Sequence, residues 1–129
     1  MITELIARLS AAGTGYQTID HAWDLDLIQD IEAAKPCAYF MPGPSDSESS
    51  DRLPIQQNHK RQIVVVTICD WADLDSLTTE TGQLYPALLG YQHSNNHTPL
   101  EHVKGDVLAI KGRLVWWKDV FFAESWIRP

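Results

Sequence analysis

Long apolar runs are missing from this sequence. Segments such as Ile63 to Val66 fall far short of the roughly 20 residues a helix needs to cross a bilayer. The first residues, Met1-Ile2-Thr3-Glu4-Leu5, also lack the positive region followed by an apolar stretch that a secretory signal requires. The expectation is a soluble chain made in the cytoplasm. Cysteine is scarce as well: there are two, Cys37 and Cys69, far apart and each in an expected strand. Buried, reduced thiols are expected there, not a disulfide framework. Basic residues are few, with 10 Lys and Arg against 17 Asp and Glu for a net charge of −7. Nonspecific binding to a phosphate backbone depends on Lys and Arg neutralising phosphates, so nucleic acid is not an expected ligand, and Lys60-Arg61 is too short a basic run to change that.

Signatures of catalysis are missing too. There is no Gly-x-Ser-x-Gly elbow and no Gly-Lys-Ser/Thr, and the glycines at 13 and 15 follow a helix where a phosphate loop would precede one. His93, His97 and His102 come close together. However, Ser94-Asn95-Asn96 and Thr98-Pro99 favour a loop, and no Glu or Cys stands at a spacing that would complete a zinc set. Asp70, Asp73 and Asp75 cluster at an expected helix N-terminus, where negative charge offsets the helix dipole without any reaction. No catalytic residue, cofactor or metal is expected.

What is present is a pattern of short elements. Thr3 to Ala12 reads as a helix capped by Thr3, with Leu5, Ile6 and Leu9 on one face and Gly13-Thr14-Gly15 ending it. Tyr16 to Ile19 fits an edge strand or a plain connection. Asp24 to Ala34 reads as a second helix, with Leu27, Ile28 and Ile31 together. Cys37 to Met41 is a short buried strand. Then Pro42 to about Gln57 is polar, acidic and broken by proline, the composition of a mobile surface loop. Lys60 to Cys69 is β-branched almost throughout and reads as a central strand covered on both faces. From Trp71 to Tyr91 the leucines recur at helical spacing. Pro86 is expected to kink or break that helix near Leu84-Tyr85, because proline removes a donor and crowds the preceding turn.

The last third concentrates the aromatic mass. Val103 to Gly112 and Arg113 to Arg128 form an expected two-stranded ribbon turning at Lys111-Gly112, where glycine supplies the positive φ of a tight hairpin. Both residue sets of the second strand are apolar, Val115/Trp117/Phe121/Ile127 and Leu114/Trp116/Val120/Phe122/Trp126. A two-layer domain needs only one apolar face per strand, so the second is either covered by the same chain or is an interface.

The order Ala87-Leu88-Leu89-Gly90-Tyr91-Gln92, Pro99-Leu100-Glu101-His102-Val103 with Gly105, then Trp116-Trp117-Lys118-Asp119-Val120-Phe121 and Ile127-Arg128 resembles the tail terminators of long-tailed bacteriophages, the lambda-type among them. The resemblance covers the last third well and the rest in outline. It implies a structural virion protein forming a homo-hexameric ring on the head-proximal end of the tail tube. There the ring would stop tube growth and offer a joining surface to a head–tail connector, with DNA passing through the lumen unbound.

The fold expected is α+β: one domain over residues 1–129, with a mixed, mostly antiparallel sheet of four to five strands, two or three helices packed on it and a long C-terminal β-hairpin. Candidate interface residues are Arg52, Gln56, Arg61, Trp116, Phe122 and Trp126, with core burial the alternative for the aromatic three. Two other functions fit the same residues: another head–tail connector or tail-completion protein, and a small-ligand domain with a pocket near Trp117 and Tyr91.

Overall fold

The computed structural model describes residues 1–23, 36–48, 57–70, 72 and 74–127. The helix expected over Asp24 to Ala34 lies outside them, as do Arg52 and Gln56. In chain order the elements are α1 (Ile2–Ala11), β1 (Thr18–His21), β2 (Cys37–Glu48), β3 (Gln57–Asp70), α2 (Leu74–Leu88), β4 (Glu101–Lys111) and β5 (Leu114–Ile127). The five strands form one sheet in the order β1-β2-β3-β5-β4. Only β1 and β2 run parallel, and the other neighbours are antiparallel. This is the expected α+β architecture, with the β-branched strand β3 at its centre and the β4–β5 hairpin at one edge.

The β3–β5 ladder sets the two faces of the sheet. It runs from Gln57 opposite Ile127 to Asp70 opposite Leu114 without a slip, so odd and even positions stay on opposite sides throughout. Ile63, Val65, Phe121 and Ala123, with Ala38 and Phe40 of β2, meet Leu5 and Leu9 of α1 and Leu84 and Leu88 of α2. All four leucines are fully buried, and each such burial stabilises by roughly 1.5–3 kcal/mol. The far side carries Val66, Ile68, Trp116, Cys37, Met41 and Ala22. Each apolar set of β5 therefore contributes to a core, through Phe121 on one side and Trp116 on the other. Cys37 and Cys69 are both buried thiols, not joined in a disulfide.

Three local expectations are corrected. Thr3 does not cap α1: the helix begins one residue earlier, at Ile2, with Met1 at the cap position, and its first turn is tied by a 2.9 Å contact between the Met1 amine and Glu4 Oε2. The acidic segment does not leave the sheet at Pro42, because β2 continues to Glu48 opposite Asn58, Lys60 and Arg61. The register slips between Pro42 and Ser45, and this bulge accommodates prolines that cannot donate to a ladder. Finally, α2 does not break at Leu84-Tyr85. It runs on through Gly82 and Pro86 to Leu88, held by the fully buried Leu84 and Leu88, so packing overrides the local penalty of a proline in the last turn. Ahead of its described span, Asp70 Oδ1 accepts the Ala72 amide at 3.0 Å.

Candidate assembly surface

The hairpin is built on a two-residue turn. The expected turn at Lys111-Gly112 is corrected by one residue: Lys111 pairs with Leu114, so Gly112 and Arg113 form the loop, and Gly112 has φ of +60°. Positive φ at the first loop position matches the right-handed twist of the flanking strands. Arg113 also reaches Asp70 at 3.7 Å, tying the tip to the end of β3.

Where β4 meets β5 under α2 there is a buried polar node that the sequence reading missed. Asp119 is fully buried on the helix side of β5. Its Oδ1 accepts the Tyr85 hydroxyl at 2.8 Å and lies 2.9 Å from His102 Nε2, so one carboxylate oxygen joins α2, β4 and β5. The rings of Tyr85 and His102 stand 4.7 Å apart, and His102 meets Phe121 edge-on at 5.2 Å. Burial, followed by the bond to Asp119, pushes the Tyr85 hydroxyl up to about 12. Gly105 sits opposite Asp119, and a Cβ there would lie 2.6 Å from Asp119 Oδ1. The available signal was a charged residue inside an apolar strand, with a glycine in the facing strand.

The crossing from α2 to β4 is pinned at both ends. Gly90, with φ of +81°, donates to Leu100 O at 3.0 Å, and Leu100 N returns a bond to Tyr91 O at 2.7 Å. Between them His97 bridges to Ser125, and the Thr98 amide bonds Glu124 O at 2.8 Å. His93 and His97 lie in this irregular segment with ring centroids 5.0 Å apart. Partial burial, and then the neighbouring His93, lower the His97 pKa. Among the described residues no group of three His, Cys, Asp or Glu side chains is placed to hold a metal ion. Nor is any described helix long and apolar enough to cross a membrane.

Of the candidate interface residues, the described ones separate. Trp116 lies in the far-side cluster and is 3% exposed in the isolated chain, with Lys111 Nζ 4.3 Å from its ring centroid. Phe122 is half-buried, opposite Gln62. Trp126 and Arg61 are exposed. Further exposed apolar residues went unnoticed in the sequence: Val103, Val107 and Ile110 on β4, and Trp23 just after β1. Exposed apolar residues thus stand at both edges of the sheet, with Leu89 after α2 and Trp126 on β5 in addition. Two grooves open beside the N-terminus of α1. One, of about 450 Å³, includes Thr3, Ser45, Arg61 and Ile63, and the other, of about 240 Å³, includes His21, Ala22, Trp23 and Phe40.

No curated protein matches the sequence. Among solved structures, a chain of the virion of a native gene transfer agent particle shares the fold. It aligns with a TM-score of 0.61 and 16% identity over 98% of this chain and 92% of its own. The family model described as phage tail terminator protein matches residues 2–129. That match runs along nearly the whole chain: this protein belongs to the phage tail terminator family, structural proteins of the virion tail.

Proposed function

We propose that the whole chain acts as a single tail-terminator domain, six copies of which form a ring on the head-proximal end of the tail tube. The ring stops further tube subunits from adding and offers a surface to the head–tail connector, while DNA passes through its lumen without specific binding. The observation that carries this reading is the family match over residues 2–129. The exposed apolar residues support it, since such surface on a small domain marks contact with other chains. A ring needs two different patches on each subunit, and the sheet has two different edges.

Within the ring, some Asp and Glu side chains line the lumen, consistent with a chain of net charge −7. Arg52 and Gln56, together with Arg61, face the tube. Phe122 and Trp126 contribute to subunit or connector contacts, and Trp116 does so only through the core it packs in.

The deciding measurement is mass in solution by light scattering across a concentration series, alone and with purified tail tubes. A hexamer alone or on tubes, with capped tubes that no longer elongate, is expected. A strict monomer that ignores tubes would overturn the proposal.

A further inference from the structure

The ring reading leaves open which surfaces close the ring, and the two edges of the sheet differ in a way that fits them to each other. At one edge, β4 carries Val107 and Ile110, 52% and 67% exposed. They stand opposite Trp117 and Val115, so both sit on the helix side of the sheet. At the other edge, β1 borders an apolar groove of about 240 Å³ lined by Ile2, His21, Ala22, Trp23, Phe40 and Pro42. His21 pairs with Phe40, a residue of the helix-side core, so this groove also opens on the helix side. Trp23 on its rim is 77% exposed. Projecting aliphatic side chains at one end and an apolar recess at the other therefore lie on the same face of one sheet. Among the described residues no strand pairs with the outer side of β1 or of β4.

We infer that β4 of one copy lies along β1 of the next, with Ile110 and Val107 seated in that groove, extending the sheet from subunit to subunit. The strand directions agree with this. Three antiparallel steps separate β4 from β2, and β1 runs parallel to β2, so β4 and β1 point in opposite directions. Copies related by rotation about an axis along the strands pair them antiparallel. With Ile110 opposite His21 on the helix side, Lys111 then falls opposite Asp20 on the far side, and that pair brings opposite charges together across the interface. The far-side position of Lys111 is independently seen in its contact with the Trp116 ring. The ladder is short, because β1 has four residues and β4 slips register between Val107 and Ala109. Most of the contact is consequently the apolar fit, with backbone pairing setting register. Two different patches meet, so the contact is heterologous and propagates until it closes.

This inference rests on the ring reading, and one set of variants separates the two. Ile110→Lys blocks the projecting edge, and His21→Lys, at an exposed lining position facing Ile110, blocks the groove. Each variant alone is expected to stay monomeric by light scattering, alone and on tail tubes, while keeping the thermal unfolding midpoint of the parent chain. An equimolar mixture is expected to give a dimer and nothing larger, because one intact edge and one intact groove remain. Val107→Lys, on a second exposed position, guards against a folding defect at either first site and is expected to behave like Ile110→Lys. If well-folded variants still form rings, the edge-to-groove contact is wrong and the ring reading stands. If the parent chain never assembles in either setting, both are overturned. A mixture of the variants that stays monomeric, with an assembling parent, would also overturn the heterologous pairing.

Discussion

At the scale of single residues, the Asp119 node is the point where chemistry and architecture meet most closely. A carboxylate with no exposure is costly unless its hydrogen bonds are made; here Tyr85 and His102 make them to Oδ1 from two other elements, while Oδ2 is buried without a hydrogen-bond partner. Asp119→Ala leaves both partners facing an emptied site and is expected to cost roughly 2–4 kcal/mol in chemical denaturation. Tyr85→Phe removes one bond and should cost about 1 kcal/mol. The pH dependence separates the two effects. Tyr85 holds its proton more tightly folded than unfolded, so its contribution is complete below about pH 10 and is lost as pH rises toward about 12. The parent chain should therefore lose stability over that window more steeply than Tyr85→Phe. Part of the slope should survive in the variant, because burial also raises Tyr39. Equal slopes in the two proteins would mean that neither burial nor Asp119 makes Tyr85 hold its proton more tightly when folded. Gly105→Ala probes the same place sterically. Its methyl would meet Asp119 Oδ1 at 2.6 Å and Trp117 Cζ2 at 2.9 Å, and a loss of roughly 1–3 kcal/mol is expected.

At the scale of elements, the hairpin turn gives the clearest test. Gly112 has φ of +60°, which a β-branched residue adopts only under strain, so Gly112→Val should destabilise by roughly 1–2 kcal/mol and Gly112→Asn by less. Equal stability of the two variants would show that the turn relaxes to another type. The hairpin's register was not legible, since the loop is Gly112-Arg113 and not Lys111-Gly112, which shifts every pairing. Its existence was legible because its signal is local, a glycine between two β-rich runs. The central strand was legible for a similar reason, since an unbroken β-branched stretch such as Ile63 to Ile68 fits only where both faces are covered. The misreadings share the opposite cause. The segment from Pro42 to Glu48 looks like a loop in isolation and is a strand because β3 continues alongside it. Pro86 looks like a break and is helical because Leu84 and Leu88 are anchored in the core. Asp119 could not be recognised as a node, because Tyr85 is 34 residues away and His102 is 17. The candidate surface was legible only as surplus apolar residues, and strand order was needed to show that Val107 and Ile110 are exposed while Trp116 is not.

At the scale of the whole molecule, charge and apolar edges would act against each other in assembling the proposed ring. Each copy carries a net charge of −7, so bringing copies together at low ionic strength works against mutual repulsion. Salt shortens the range of that repulsion, to about 10 Å at 0.1 M, and leaves an apolar edge contact intact or strengthens it. Ring formation should accordingly increase as salt rises from about 0.01 M to 0.15 M, the reverse of what an interface built mainly on ion pairs would do. Sedimentation velocity at fixed protein concentration across that range checks the direction, and a ring that dissolves on adding salt would assign the contact to charge pairs. The same acidity predicts that the assembled ring leaves duplex DNA unretarded in a gel at low salt, where electrostatic binding is strongest. Retardation under those conditions would place a basic surface toward the lumen and contradict an acidic lining. The two outcomes bear on different surfaces of the proposed ring: the salt response reports the contact between neighbouring copies, whereas the DNA response reports the wall that would face a passing duplex. Substitutions on β4 should therefore change the first and leave the second as it was.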